Sequence, residues 1–487
     1  MSEAGEPISA ALGRLAREDP DRPAVTVGGS AVTRGELDRR SNRLARAFAA
    51  AGVVPEDLVT IALPNSVEFL EAAVACWKLG AVPQPVSARL PGRELTAIVE
   101  VADPALVVGV EADLVPGRVT WAAGRRPDPG LSEEPLPPVA ARTWKAPTSG
   151  GSTGRPKLIL SGDPAIVPAE PGLAIRRNGC MLIPGPLYHN APFTSASVGL
   201  FHGNHVVLLP RFDAEGTLRA IDEHRPDFML VVPTMMIRIL RLDDRVRAGY
   251  DVSSLQTVWH MGAPCPAFAK RAWIEWIGGE KIWELYAGTE VQAVTVIRGD
   301  EWLEHAGSVG RVSAGQMKIV DPGTGEDLPT GQVGEIFLRV TPGGKPTYRY
   351  LGAEARTIGD GWESLGDMGW FDEEGYLYLA DRRADMILSG GANIYPAEIE
   401  AALNEHQVIE SCAVIGLPDD DLGQVVHAIC HASPGSVPPP DEELRAFAAE
   451  RLVRYKVPRS FEWVSEPVRD DAGKVRRSAL RSERVQT

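Results

Sequence analysis

Residues 148–157 read TSGGSTGRPK. Four hydroxyl side chains (Thr148, Ser149, Ser152, Thr153), three glycines (Gly150, Gly151, Gly154) and the ammonium of Lys157 share these ten positions. Glycine lets successive backbone N–H groups turn toward one point, and hydroxyls and a lysine add donors, so the natural guest is an anion, best a polyphosphate. A flexible Ser/Gly-rich loop would carry the same letters. The stretch is not a Walker A loop, because Arg155 and Pro156 stand between Gly154 and Lys157.

Further along, YAGTE places Thr289 and Glu290 at the end of an expected strand over 281–290. A carboxylate beside a hydroxyl suits an octahedral Mg²⁺ already carried by phosphates, and equally suits a solvated loop. Tyr286 can stack a nucleobase or fill core. Asp367, in LGDMG, lies in a Gly-rich turn before a hairpin. Acids there accept sugar hydroxyls or cap the turn itself. Arg382 closes the next strand. Lys474 follows Gly473 on a basic tip, DDAGKVRR, and taken alone is a surface lysine.

These residues need elements to hold them. Residues 35–52 carry a helical apolar stripe, 58–63 a buried strand, 66–79 a helix and 81–86 a short strand. The alternation resumes with strands at 180–184, 205–209 and 228–232 and helices at 192–202, 214–224 and 234–242, which predicts an α/β layered fold. Strands within 254–262 and 281–290 run into loops at their C-terminal ends, where α/β sheets bind ligands. Residues 111–143, rich in Pro, Gly and charge, read as a connection between subdomains. From about residue 316 short β segments and turns take over. After about 384 a compact α+β unit follows, with helices at 396–405 and 442–453 and strands near 411–416 and 425–432.

Composition narrows the field. The 487 residues are 44% hydrophobic and 24% charged, which suits a folded protein with large cores. A net charge of −15 argues against a nucleic-acid partner. Five scattered cysteines without a C-x-x-C pair read as reduced thiols. Neither a secretory leader nor an apolar run of ~18–20 residues is visible, so no membrane insertion and a cytoplasmic location are expected. His202 with His205 lacks a third ligand nearby, and His427 and His431, near Cys430, share one strand face only if no bulge intervenes, so neither group is expected to be a metal site.

The run TSGGSTGRPK, PLYHNAP, YAGTE, GEIFLRV, LGDMGWFDEEGYLYLADRRADMILSGGANIYPAEIE, YKVP and GKVRR, in that order, resembles the adenylate-forming superfamily. Its members include acyl-CoA synthetases, peptide-synthetase adenylation domains and firefly-type luciferases. The resemblance covers about residues 10–480. It implies a large N-terminal adenylation domain, 1–381, built from two layered α/β subdomains plus a β-barrel-like subdomain. A small mobile α+β C-terminal domain, 382–487, would follow.

It also implies a reaction. A carboxylate and ATP give an acyl-adenylate and pyrophosphate, and a thiol then displaces AMP. On the family pattern residues 148–157 would hold the β- and γ-phosphates, Thr289 the α-phosphate and Glu290 Mg²⁺. Gly262, Ala263, Pro264, Glu284, Leu285 and Tyr286 would frame the adenine, and Asp367 and Arg382 would bind the ribose. Lys474 would bridge the attacking carboxylate and the α-phosphate, with His189 as a gate beside that carboxylate.

Ala384 sits at the pivot of the domain swing, where the family usually has Asp or Lys. SGGANIYPAEIE resembles the CoA-ligase version of its segment. Gly391 would line a pantetheine channel, the family's common glutamate is replaced by Ala392, and Arg454 and Lys456 could meet CoA phosphates. Phe193, Val198, Met235, Met236 and Gly288 are the expected acyl-pocket walls, or plain core. The implied partners are ATP, Mg²⁺, coenzyme A and a hydrophobic, bulky acid of aromatic or polycyclic type. A carrier-protein thiol is the alternative acceptor, and a homodimer is open to such a chain.

Overall fold

A computed structural model describes residues 5–150, 156–471 and 473–485. Its backbone is a nine-stranded sheet flanked by helices. Cys180–Ile183, His205–Leu208, Phe228–Val231, Thr257–Met261 and Ile282–Tyr286 run parallel, and Val294–Arg298 and Arg311–Ala314 extend one edge antiparallel. At the other edge Pro23–Val27 pairs parallel with His205–Leu208, and Ser30–Thr33 folds back on it. Local pattern gives no hint that this early hairpin joins strands some 180 residues away. Burial of a shared apolar face decides it.

A second, four-stranded parallel sheet holds Val82–Pro85, Leu58–Ile61, Leu106–Val108 and Thr120–Trp121. The last of these lies inside the stretch expected to be pure connection. The helix Val67–Leu79 is buried along almost all its length, so it reads as an apolar run rather than a narrow stripe. Ser66 caps its N-terminus by accepting from Phe69 N, and Gly80 ends it at φ +70°. Trp77 of this helix donates through Nε1 to the Trp144 carbonyl at 2.7 Å and stacks on Phe193.

Small antiparallel sheets complete the larger part. One contains Gln316–Val320, Gly334–Arg339, Arg356–Ile358, Trp362–Phe371 and Leu377–Arg382, and the other joins Tyr348–Leu351 to the hairpin of Thr148–Gly150 and Pro156–Ser161. The C-terminal part has its own core around Ile387, Ile399, Leu403, Val414 and Ala428. Its long hairpin, Ile409–Asp419 with Gly423–Ala432, pairs with Ser460–Val464. It meets the larger part through Arg238–Glu410 at 2.9 Å, Arg476–Glu94 at 2.9 Å and Arg89–Asp471 at 3.4 Å.

The strand expected over 281–290 stops at Tyr286, and Thr289 and Glu290 lie in a turn beyond it. The helix expected over 442–453 is Asp441–Ala449. Among the described residues no helix is long and apolar enough to cross a membrane.

Trp77→Ala should cost about 3–5 kcal/mol, because it empties a large buried volume and strands the Trp144 carbonyl. A urea midpoint unchanged from wild type would refute this role.

Candidate active site

The Thr148–Gly150 strand pairs antiparallel with Pro156–Ser161, placing Ser149 opposite Lys157. Thr148 Oγ1 accepts from Gln84 Nε2 at 2.8 Å. Gly151, Ser152, Thr153 and Gly154 lie outside the described residues. Lys157 leaves this hairpin toward Glu290, with Nζ 3.3 Å from Oε1, and its ammonium lies 4.0 Å from the centre of the Tyr350 ring. Glu290 is only 5% exposed, and Tyr350 donates its hydroxyl to the same Oε1. The Thr347 hydroxyl fastens the turn by donating to the Glu290 carbonyl at 2.7 Å. Sequence reading missed Tyr350 and Thr347. The alternating aromatics of Tyr348 and Tyr350 mark a strand, but nothing local ties that strand to residues 156–161.

Met261 pairs with Leu285, so the Gly262–Pro264 turn and the end of the Ile282–Tyr286 strand lie side by side. Gly262 has φ +84°, a conformation that favours glycine, and an added Cβ would stand 3.9 Å from Val232 Cγ1. Tyr286 donates its hydroxyl to Asp367 Oδ2 at 2.8 Å, and burial followed by that carboxylate drives its pKa well up. Asp367 pairs in register with Arg382, whose Nε is 3.3 Å from Oδ1. These three side chains therefore form one connected group.

Glu284 corrects the expectation. Its carboxylate takes the Lys270 ammonium at 2.5 Å within the core beneath the sheet, so it offers no carboxylate to a base. Lys270 reaches it from the helix Ala267–Ile277, with its ammonium also 4.8 Å from the centre of the Trp302 ring.

Lys474 arrives from the C-terminal part. Its N–H donates to Asp470 Oδ1 at 2.9 Å and its carbonyl accepts from Asp470 N, which makes a tight loop. Gly473, at φ +75°, seats this loop so closely that an added Cβ would lie 3.2 Å from Thr234. The pKa of Lys474 is lowered, first by desolvation and then by the Arg382 cation, while Asp470 and Glu290 pull it upward. His189 sits at the N-terminus of the Asn190–Phe201 helix, 4.3 Å ring to ring from Tyr188. Its Nε2 is buried with no hydrogen-bond partner among the described residues. Burial, then the Lys474 charge, pushes its pKa down to about 3, so the imidazole is neutral at pH 7.

Several expected pocket walls are reassigned. Phe193 is 0% exposed and stacks at 11° on Trp144 inside the N-terminal core. Met236 is fully buried and its carbonyl accepts from Trp273 Nε1, while Met235 belongs to the same core beneath the sheet. Gly288 answers a packing need, because a Cβ would come within 2.3 Å of Leu365 Cδ1. Val198 remains partly open. Gly391, at φ +83°, lies in an exposed hairpin turn with open space around it. Lys456 is paired with Glu398.

Ala384 occupies an exposed turn between two anchored neighbours: Arg383 binds Glu335 at 2.9 Å and Asp385 binds Arg477 at 2.7 Å. His202 and His205 meet Val198, Pro168 and Thr26, and His431 meets Glu410. No group of three or more metal-ligating side chains exists among the described residues.

Residues 12–348 match the AMP-binding enzyme family and residues 398–474 match the AMP-binding enzyme C-terminal domain. The chain belongs to the AMP-binding enzyme family. By class, this AMP-binding enzyme is an AMP-forming acid–thiol ligase. It is 35% identical to a feruloyl-CoA synthase of Amycolatopsis sp, over 96% of this chain and 97% of that protein. It is 30% identical to the fatty acid–[acyl-carrier-protein] ligase ScoC of Streptomyces coeruleorubidus, over 96% and 94%. The o-succinylbenzoate CoA synthetase of Bacillus subtilis, solved with its acyl-adenylate intermediate, superposes at TM-score 0.83 with 26% identity over 98% of both chains.

The depressed His189 pKa has a stability consequence. An unfolded chain protonates this imidazole near pH 6.5 and the folded chain only near 3, so its contribution is complete above about 6.5 and is lost as pH falls. His189→Gln should therefore lose less stability between pH 7 and pH 5 than wild type. Parallel pH dependences of the two urea midpoints would refute the assignment.

Proposed function

We propose that this enzyme condenses a hydrophobic, aromatic or polycyclic carboxylic acid with ATP, releasing pyrophosphate, and then passes the acyl group from the adenylate to coenzyme A with release of AMP. One observation carries the reading: the loop that bears Lys474, supplied by the C-terminal part, docks on the larger part, with Gly473 against Thr234, Asp471 paired to Arg89 at 3.4 Å and Arg476 paired to Glu94 at 2.9 Å. A cation delivered by a separate unit suits a step in which a carboxylate attacks an α-phosphate, because negative charge crowds there.

The chain's own residues divide the work. Thr148, Ser149, Gly150 and Lys157, with residues 151–154 of the same motif, hold the departing phosphates. Thr289 contacts the α-phosphate. Gly262, Ala263, Pro264, Leu285 and Tyr286 frame the base. Asp367, kept in place by Tyr286 and Arg382, accepts the ribose hydroxyls. Neutral His189 donates or accepts one hydrogen bond beside the acyl carboxylate without adding charge.

Mg²⁺ fits the donor set. Glu290 is a single, nearly buried carboxylate with Oε1 occupied by Lys157 and Tyr350, and a nucleotide-borne cation that keeps its phosphate and water ligands asks for no more. When bound, the ion would offset the phosphate charge. Gly391 and Ala384 serve the second step: the exposed Gly391 turn would reach the thiol after a rotation about Ala384, a small residue between anchored neighbours. Transfer to a carrier-protein thiol is the second reading, favoured by the likeness to the carrier-protein ligase ScoC.

Lys474→Ala should lower acid-dependent pyrophosphate release by about 100-fold or more; release at the wild-type rate would sink the proposed role. To identify the acceptor, the adenylate formed from an active acid is offered coenzyme A and a carrier protein separately. A CoA thioester is expected, and a product formed only on the carrier protein would replace this reading with the second one.

A further inference from the structure

The helix Pro233–Leu240 starts two residues beyond the parallel strand Phe228–Val231. Met235, Met236, Ile237 and Ile239 are buried, and the Met236 carbonyl accepts from Trp273 Nε1 at 3.1 Å. The core of the larger part therefore holds this helix firmly. Thr234, Arg238 and Arg241, the last just past the helix end, keep partial exposure. Steps of four and three residues place them on one stripe.

Each residue of the stripe meets a different segment of the C-terminal part. Thr234 lies 3.2 Å from where a Cβ on Gly473 would stand, one residue before Lys474. Arg238 Nη2 is 2.9 Å from Glu410 Oε1, near the start of the long hairpin, and the other Glu410 oxygen is 3.3 Å from His431 Nδ1. Arg241 donates through Nη2 to the Asn404 carbonyl at 3.0 Å. Asn404 ends the helix Pro396–Leu403, where spare carbonyls and the helix dipole favour a cation.

Along the helix axis Thr234 and Arg241 are about 10 Å apart at the usual rise per residue. Contacts so separated fix an orientation, which a single contact at the Lys474 loop does not. The pairs Arg89–Asp471 and Arg476–Glu94 are exposed, and such pairs contribute little. Arg238–Glu410 is better shielded, its side chains 35% and 16% exposed. The grip also carries a cost: Arg241 Nη1 is buried with no hydrogen-bond partner among the described residues. Undocking would return that donor to water.

We infer that Arg238 and Arg241 are positioning residues for adenylation: from one helix stripe they set the angle at which the C-terminal part docks, and so aim Lys474 at the α-phosphate. They take no part in the thiol step. This inference rests on the adenylation reading above and adds what directs the lysine. When the C-terminal part turns away, Glu410 keeps His431, which belongs to its own part, and leaves Arg238 behind. Placement is where the effect arises, because a displacement of about 1 Å is enough to cost about 100-fold in rate.

Pyrophosphate release is measured with cinnamate, naphthoate and cholanate, and the fastest acid is carried forward. Arg238→Met and Arg241→Met should each lower kcat for that release by about tenfold or more. ATP affinity, read by calorimetry, should stay at the wild-type value. Thioester formation from preformed adenylate, on coenzyme A or on a carrier protein if the acceptor experiment selects one, should stay at the wild-type rate or rise. Glu410→Gln keeps the side-chain volume and should slow pyrophosphate release severalfold. Joined to Arg238→Met it should add no further loss, since both changes remove one contact.

Equal loss in both half-reactions would make the stripe a structural seam only and overturn the inference. Wild-type pyrophosphate release in both arginine variants would overturn it as well, and so would losses that multiply in the double variant. If the arginine variants do not fold, Glu410→Gln decides: loss confined to the first half-reaction supports the inference, and any other result overturns it. No pyrophosphate release by wild type with any of the three acids would instead overturn the adenylation reading, and this inference with it.

Discussion

A nucleotide site must keep charges apart from solvent without letting them collapse onto one another, and that constraint organises this molecule. Two carboxylates of the proposed nucleotide site, Glu290 and Asp367, each stand beside a cation from another element: Lys157 for the first, Arg382 for the second. A tyrosine hydroxyl steadies each of them as well, Tyr350 on Glu290 and Tyr286 on Asp367. Such partners hold the carboxylates in one orientation at modest cost, because cation and hydroxyl together satisfy what burial would leave bare.

The C-terminal part enters the same electrostatic arrangement. Its core is separate, and among the described residues it meets the larger part through the exposed pairs Arg89–Asp471 and Arg476–Glu94, the more buried Arg238–Glu410, and polar contacts that include Arg241 to the Asn404 carbonyl at 3.0 Å and Ala397 N to Asp381 Oδ2 at 2.7 Å. Pairs of this kind contribute little each, about 0–1 kcal/mol. An interface held by such contacts suits a part that docks and leaves, whereas a continuous apolar seam would weld it in place. The Lys474 loop is the exception, because Gly473 is packed against Thr234 at near van der Waals distance.

Much of this was legible early. The helix Ala214–His224 and the strands near 205–209 and 228–232 follow from periodicity, because each has a wet and a dry face or is buried throughout. The motif residues Lys157, Glu290, Asp367, Arg382 and Lys474 were named from their order alone, and the fold brings Lys157 to Glu290 and Asp367 to Arg382. Less was readable where side-chain direction matters. Glu284, Phe193 and Met236 lie in the right segments, yet the partners that the fold brings to them, Lys270, Trp144 and Trp273, make them core. Local sequence carries no marker for which face will be the ligand's.

By itself the sequence determined the element pattern, the two-part organisation, the family resemblance and the chemistry that residues 148–157, 286–290, 367 and 474 could perform. Those properties are local or depend on motif order. Only the tertiary structure decided that the hairpin Pro23–Thr33 extends the large sheet, that Tyr350 completes the surroundings of Glu290, and that Lys145 is buried against Asn190 and Thr194. Each of these is a contact between segments tens to hundreds of residues apart, settled by which apolar faces cover one another.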